Sequence, residues 1–149
     1  MIDDKLNAGW FLIVCGLLTA GLSLAMPEPG RASDAFPFGE ELLLDTPPMR
    51  PGKRMPGIIV ERGGNAVIDL WCKSVPARVE LTETAIRIDA APLPEELPAM
   101  QSTAQCTPER ILADAALLAA LTQVTAWRPQ KTTVILEGPH TMRFKPATN

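Results

Sequence analysis

The stretch GIIVERGGNAVIDLW, residues 57 to 71, decides the fold. It divides into a β-branched run from Gly57 to Glu61, the connection Arg62-Gly63-Gly64-Asn65, and a second apolar run from Ala66 to Trp71. Gly-Gly-Asn tolerates the positive φ that a tight loop demands, while Ile58, Val60, Val67 and Ile68 supply the apolar side chains of a half-buried sheet. A β-hairpin is therefore predicted. Moving toward the C-terminus, Arg78 to Leu81 and Ala85 to Asp89 flank Thr82-Glu83-Thr84, and the second run alternates Ile86, Arg87, Ile88, Asp89 with the period of a strand. This predicts a second hairpin. The segment from Pro92 to Thr103 is too polar and too rich in breakers to hold a regular element.

A helix is predicted from Pro108 to about Gln123. Thr107 is a favourable N-cap, Pro108 suits the first helical position, and Glu109 sits at the positive end of the helix dipole. Ile111, Ala115, Leu118 and Leu121 recur at helical intervals, joined by Leu112 and Val124, whereas Glu109, Arg110, Asp114 and Gln123 fall off that stripe. The stripe is expected to lie on the sheet. Beyond it, Thr125 to Arg128, Thr132 to Glu137 (TTVILE) and Thr141 to Lys145 read as strands, the last two joined through Gly138-Pro139-His140. The class is α+β, mainly β.

The 149 residues are 46% hydrophobic and 21% charged, which is the material of one globular domain. The formal charge of −3 is spread with both signs interleaved, so no face of the chain can neutralise a phosphate backbone and nucleic acid is not an expected partner.

Residues 1–32 differ from the remainder. Asp3, Asp4 and Lys5 precede Ala8 to Met26, a run with no charged residue, which Pro27, Pro29 and Gly30 terminate. Ser23-Leu24-Ala25 and Gly30-Arg31-Ala32 both carry small residues at the positions signal peptidase reads. A signal peptide is expected, with an uncleaved anchor as the alternative, because nineteen uncharged residues approach the roughly 20 that span a bilayer. Residues 33–56 are proline-dense and read as linker; within them FGEELLLD, Phe38 to Asp45, is apolar enough to pack as an edge strand or a short turn. Arg50, Lys53 and Arg54 read as a solvated loop, or as a contact to anionic lipid if the anchor stays.

Export would remove Cys15 and leave Cys72 and Cys106. In an oxidising compartment that pair reads as a disulfide stabilising the fold by roughly 4 kcal/mol in the chain-entropy model. A metal site needs more ligands than two cysteines and the lone His140 provide. A reactive thiol is the third reading: Cys106 directly precedes the helix start, where a thiolate is favoured. No catalytic constellation is apparent. Ser74 and Ser102 lack a nucleophile-elbow context, no glycine loop cradles phosphate, and Glu40-Glu41 and Glu95-Glu96 read as solvated. No cofactor is expected. Trp71 and Trp127 are candidates to line an apolar pocket, with burial in the core as the competing reading.

From Gly57 to Lys145 these features resemble the META domain, also called the HslJ-like domain, of small exported bacterial proteins. In that family a strand ends in a Gly-Cys-Asn motif, and a hairpin, a Met-rich stretch leading to Ala-Cys, a helix, a Val-Thr-aromatic passage and two strands follow. Trp71-Cys72-Lys73 stands at the first motif, with Trp and Lys in place of Gly and Asn; MQSTAQC, Met100 to Cys106, stands at the second, and Gln123 to Trp127 (QVTAW) at the passage after the helix. The resemblance places the domain at residues 57–146. It implies an antiparallel, strongly curved or barrel-like sheet with one helix packed across it, and a periplasmic or cell-envelope role without enzymology. The expected function is to bind or stabilise another envelope component, with Trp71, Lys73 and Trp127 as possible contacts and Cys72 and Cys106 as the disulfide. The alternatives are a small apolar ligand held beside Trp71 and Trp127, or a thiol redox sensor using Cys106. Contact with membrane is expected only through an uncleaved N-terminal segment.

Overall fold

The computed structural model describes residues 35–96 and 104–148. The predicted export segment and its two cleavage sites lie outside them, as does most of MQSTAQC. Eight strands and one helix follow in the order β1 (Glu41–Leu44), β2 (Gly57–Val60), β3 (Asn65–Asp69), β4 (Ser74–Leu81), β5 (Ile86–Ala90), α1 (Pro108–Thr122), β6 (Ala126–Gln130), β7 (Thr133–Glu137) and β8 (Met142–Pro146). All pairings are antiparallel, and the sheet order β5-β4-β3-β2-β1-β8-β7-β6 places consecutive strands side by side except β5 and β6, which end the sheet, with β8 returning to β1. The two outer strands, β5 and β6, meet through a single bridge, Ala85 to Ala126, flanked by Ile86 N–H donating to Thr125 O (3.1 Å) and Trp127 N–H donating to Thr84 O (2.9 Å). The result is a nearly closed, barrel-like sheet with one helix, as the sequence predicts.

Turn chemistry fixes the local registers. Glu61 to Gly64 connect β2 and β3 in the predicted hairpin, where Gly64 has φ +82° and a Cβ would stand 2.7 Å from Val79 O, so only glycine lets β4 pass this closely. β4 begins earlier than predicted, at Ser74. Pro76, which cannot donate, lies beyond the last register pair with β5, Ala77 to Ala90, and uses its carbonyl to accept from Ala91 N–H. The two predicted hairpins thereby join into one four-stranded meander.

The stretch FGEELLLD is not at an edge. Its Glu41–Leu44 forms β1, bonded to β2 on one side and β8 on the other, and Phe36 and Leu42 are buried. The barrel thus draws a strand from the proline-dense region.

One contiguous core receives side chains from all eight strands, among them Leu42, Ile58, Ile68, Val75, Ile88, Trp127, Leu136 and Phe144. Each such aliphatic or aromatic side chain contributes about 1.5–3 kcal/mol by leaving water. The helix adds Leu121 and is followed by Val124, and it lies against β5, the strand that β6 touches only at the bridge. No helix among the described residues is long and apolar enough to cross a membrane.

Candidate functional site

Antiparallel succession puts the β1–β2 and β3–β4 connections at one end of the barrel and the β2–β3 and β4–β5 connections at the other. The sequence-predicted cysteines lie at the first end. There β3 and β4 are joined by Leu70 to Lys73, closed by Leu70 N–H donating to Lys73 O at 2.7 Å, so Trp71 and Cys72 occupy the tip of a tight turn. Cys72 is disulfide-bonded to Cys106, Cα to Cα 5.7 Å, across 34 residues. Both are buried. Cys106 immediately precedes Thr107, whose hydroxyl caps α1 by accepting from Arg110 N–H. The bond therefore fastens the start of the helix to the turn.

Two helix residues reinforce it. Arg110 and Asp114, one turn apart, are 1% and 0% exposed. The Asp114 carboxylate accepts from Cys72 N–H at 3.2 and 3.1 Å, and the N–H groups of Trp71 and Lys73 also act on it. Arg110 donates through Nη2 to Trp71 O at 2.9 Å and through Nη1 to Gln105 O. The turn's donors thus go to the acid and its acceptor to the base. Gly52 lies over the guanidinium so closely that a Cβ there would collide with Nη1. Burial pushes the Asp114 carboxyl above its ordinary value of 3.8, against the opposite pull of the three turn N–H groups and of the Arg54 charge. Arg54 itself bonds Asp69 and Ser74 beside the turn, so it is not part of a free basic patch.

This corrects the predicted helix face. Arg110 and Asp114, read as lying off the packing stripe, are buried, while Leu112 is 71% exposed and Ala115 is exposed. The helix PERILADAALLAALT is apolar on most sides, so period alone does not select the face that packs. The available signal was the alignment of Arg110 and Asp114 with Leu117 and Leu121 along one side.

The other candidate residues are also inside. Lys73 is 7% exposed and donates from Nζ to Pro94 O, tying down the segment after β5. Trp127 lies in the core, edge-on to Phe36 with ring centroids 5.2 Å apart, and its Nε1–H donates to Thr82 O at 2.9 Å. Trp71 is buried at the turn, apart from that core cluster. The structure brings Trp71, Lys73, Cys72 and Cys106 together and keeps Trp127 away from them. His140 is exposed in the β7–β8 turn, and Glu40, Glu41, Glu95 and Glu96 are exposed.

At the opposite end of the barrel, the β2–β3 turn, the end of β4 and the start of β5 surround an open depression of about 600 Å³. Its lining joins core side chains to surface arginines, and neither Trp71 nor Trp127 belongs to it. Comparison with known proteins gives no relative: no family model, curated protein or solved structure matches the chain.

Proposed function

We propose that the chain is a non-catalytic periplasmic or cell-envelope protein of the META/HslJ-like type that binds or stabilises another envelope component through its outer surface. The observation carrying this reading is the buried Cys72–Cys106 pair, which joins the β3–β4 turn to the helix start. Structural disulfides persist in oxidising compartments, and the only other cysteine, Cys15, lies in the segment that export would remove. The succession of strand, hairpin, helix and closing strands supports the family resemblance. A barrel interior occupied by side chains from all eight strands favours recognition on the outside over an apolar ligand carried within.

Intact mass of the gene product from a Gram-negative host, before reduction and after reduction with alkylation, tests the export on which this reading rests. Loss of the first 25 or 32 residues, with two cysteines alkylated only after reduction, is the expected result. An uncut chain with freely alkylated cysteines would overturn it and bring forward the thiol sensor using Cys106.

A further inference from the structure

The depression at the end opposite the disulfide has the makings of a ligand site that does not depend on where the protein resides. Its floor is apolar: Val79 and Ile86 belong to the core, and Phe38 and Leu81 pack against that core while still facing the opening. Its rim carries Arg62, Arg78 and Arg87 against one carboxylate, Glu80. A local excess of positive charge in a chain of net charge −3 is an uneven distribution, and it sits over apolar side chains. The volume falls in the range of small-molecule sites.

The three arginines differ in how they are engaged. Arg87 is paired with Asp89 at 3.2 Å and lies opposite Glu80 in the β4–β5 register. Arg62 and Arg78 form no ion pair with any described residue. Arg78 Nη1 donates to Asn65 Oδ1 at 2.8 Å, an uncharged partner that orients the guanidinium, and Asp89, its neighbour across the β4–β5 register, is engaged by Arg87. Arg62 lies over the Phe38 ring with Cζ 5.6 Å from the centroid, which holds a second guanidinium against the apolar floor without neutralising it. Guanidinium groups present forked donors matched to carboxylate and phosphate oxygens. An apolar floor beneath two such groups suits a molecule with one anionic head and one apolar body.

We propose that this depression binds a small amphipathic anion from solution, an alkyl or aryl carboxylate or phosphate monoester, with the head on Arg62 and Arg78 and the body over Phe38, Val79 and Leu81. The test is a backbone amide NMR titration of the protein as isolated from its host, with hexyl phosphate and hexanoate as probes. Hexanol supplies the tail without the charge, inorganic phosphate the charge without the tail, and phosphatidylglycerol vesicles the same head chemistry in a bilayer.

Hexyl phosphate or hexanoate should shift the amides of Gly63, Gly64, Thr82 and Ala85 at concentrations up to about 1 mM, and more strongly than hexanol or inorganic phosphate at equal concentration. The Arg62→Gln, Arg78→Gln double variant, with an unchanged melting temperature, should weaken binding about tenfold. Equal binding by that variant would overturn the assignment, as would shifts confined to other residues or no shift from either probe. Hexanol or inorganic phosphate matching the probes would overturn the amphipathic ligand, and binding to vesicles alone would overturn a soluble one.

Discussion

The two ends of the barrel treat arginine in opposite ways. At the disulfide end Arg110 is 1% exposed, and its guanidinium is spent on the carbonyls of Trp71 and Gln105, with Gly52 packed over it. At the other end Arg62 and Arg78 border open space, the first over an aromatic ring and the second on an amide oxygen, and neither is ion-paired to a described residue. Polar groups locked against backbone, as at the first end, stabilise one conformation. Charges outside any ion pair, beside an apolar floor, do little for stability and remain available to a ligand. The difference assigns architecture to one end and recognition to the other.

The largest effect expected from breaking this contrast comes from the disulfide. Replacing Cys72 and Cys106 together by Ser should lower unfolding stability by about 4 kcal/mol, read from denaturant midpoints. A loss below about 1 kcal/mol would mean that the turn is held by Arg110 and Asp114 alone.

The arginines give the sharper comparison. Arg110→Ala opens a cavity and strips two carbonyls of their donor, so a cost of about 3 kcal/mol is expected, whereas Arg62→Ala and Arg78→Ala should each fall within about 0.5 kcal/mol of the parent. Thermal or chemical melts of the three variants measure this, and similar losses at all three positions would erase the distinction between the ends.

The smallest effect concerns pH. Burial raises the folded-state pKa of Asp114 above 3.8, so the folded protein holds that proton more tightly than the unfolded chain. The stabilisation is fully present below 3.8 and is lost as pH rises through the raised folded value. Denaturant midpoints of the parent should therefore fall relative to those of Asp114→Asn as pH rises from about 4 toward neutrality. A parent that gains on the variant over that window would mean that the turn N–H groups outweigh burial.

Much of the fold was legible because its determinants are local. Gly63-Gly64-Asn65 and the alternation Ile86 to Asp89 specify hairpins from neighbouring residues, and Thr107-Pro108 starts the helix where the sequence says it should. The cysteine pairing was legible by count, because Cys15 falls in the charge-free N-terminal run and leaves Cys72 and Cys106. The neighbourhood around that pair was not, because Arg110 and Asp114 read as surface residues until the turn that bonds them is brought from some forty positions away.

By itself the sequence determined the succession of strands from β2 onward, the helix α1 and its cap, since these follow from turn residues, period and propensity within short windows. Only the tertiary structure decided the rest. It drew β1 from the proline-dense stretch into the middle of the sheet, and it closed the barrel at Ala85 and Ala126. It also turned the charged side of the helix inward and gathered Arg62, Arg78 and Phe38 around one depression. Each of these joins residues distant in the chain, and the free energy that selects them comes from burial and hydrogen bonding in the assembled barrel, which no local window contains.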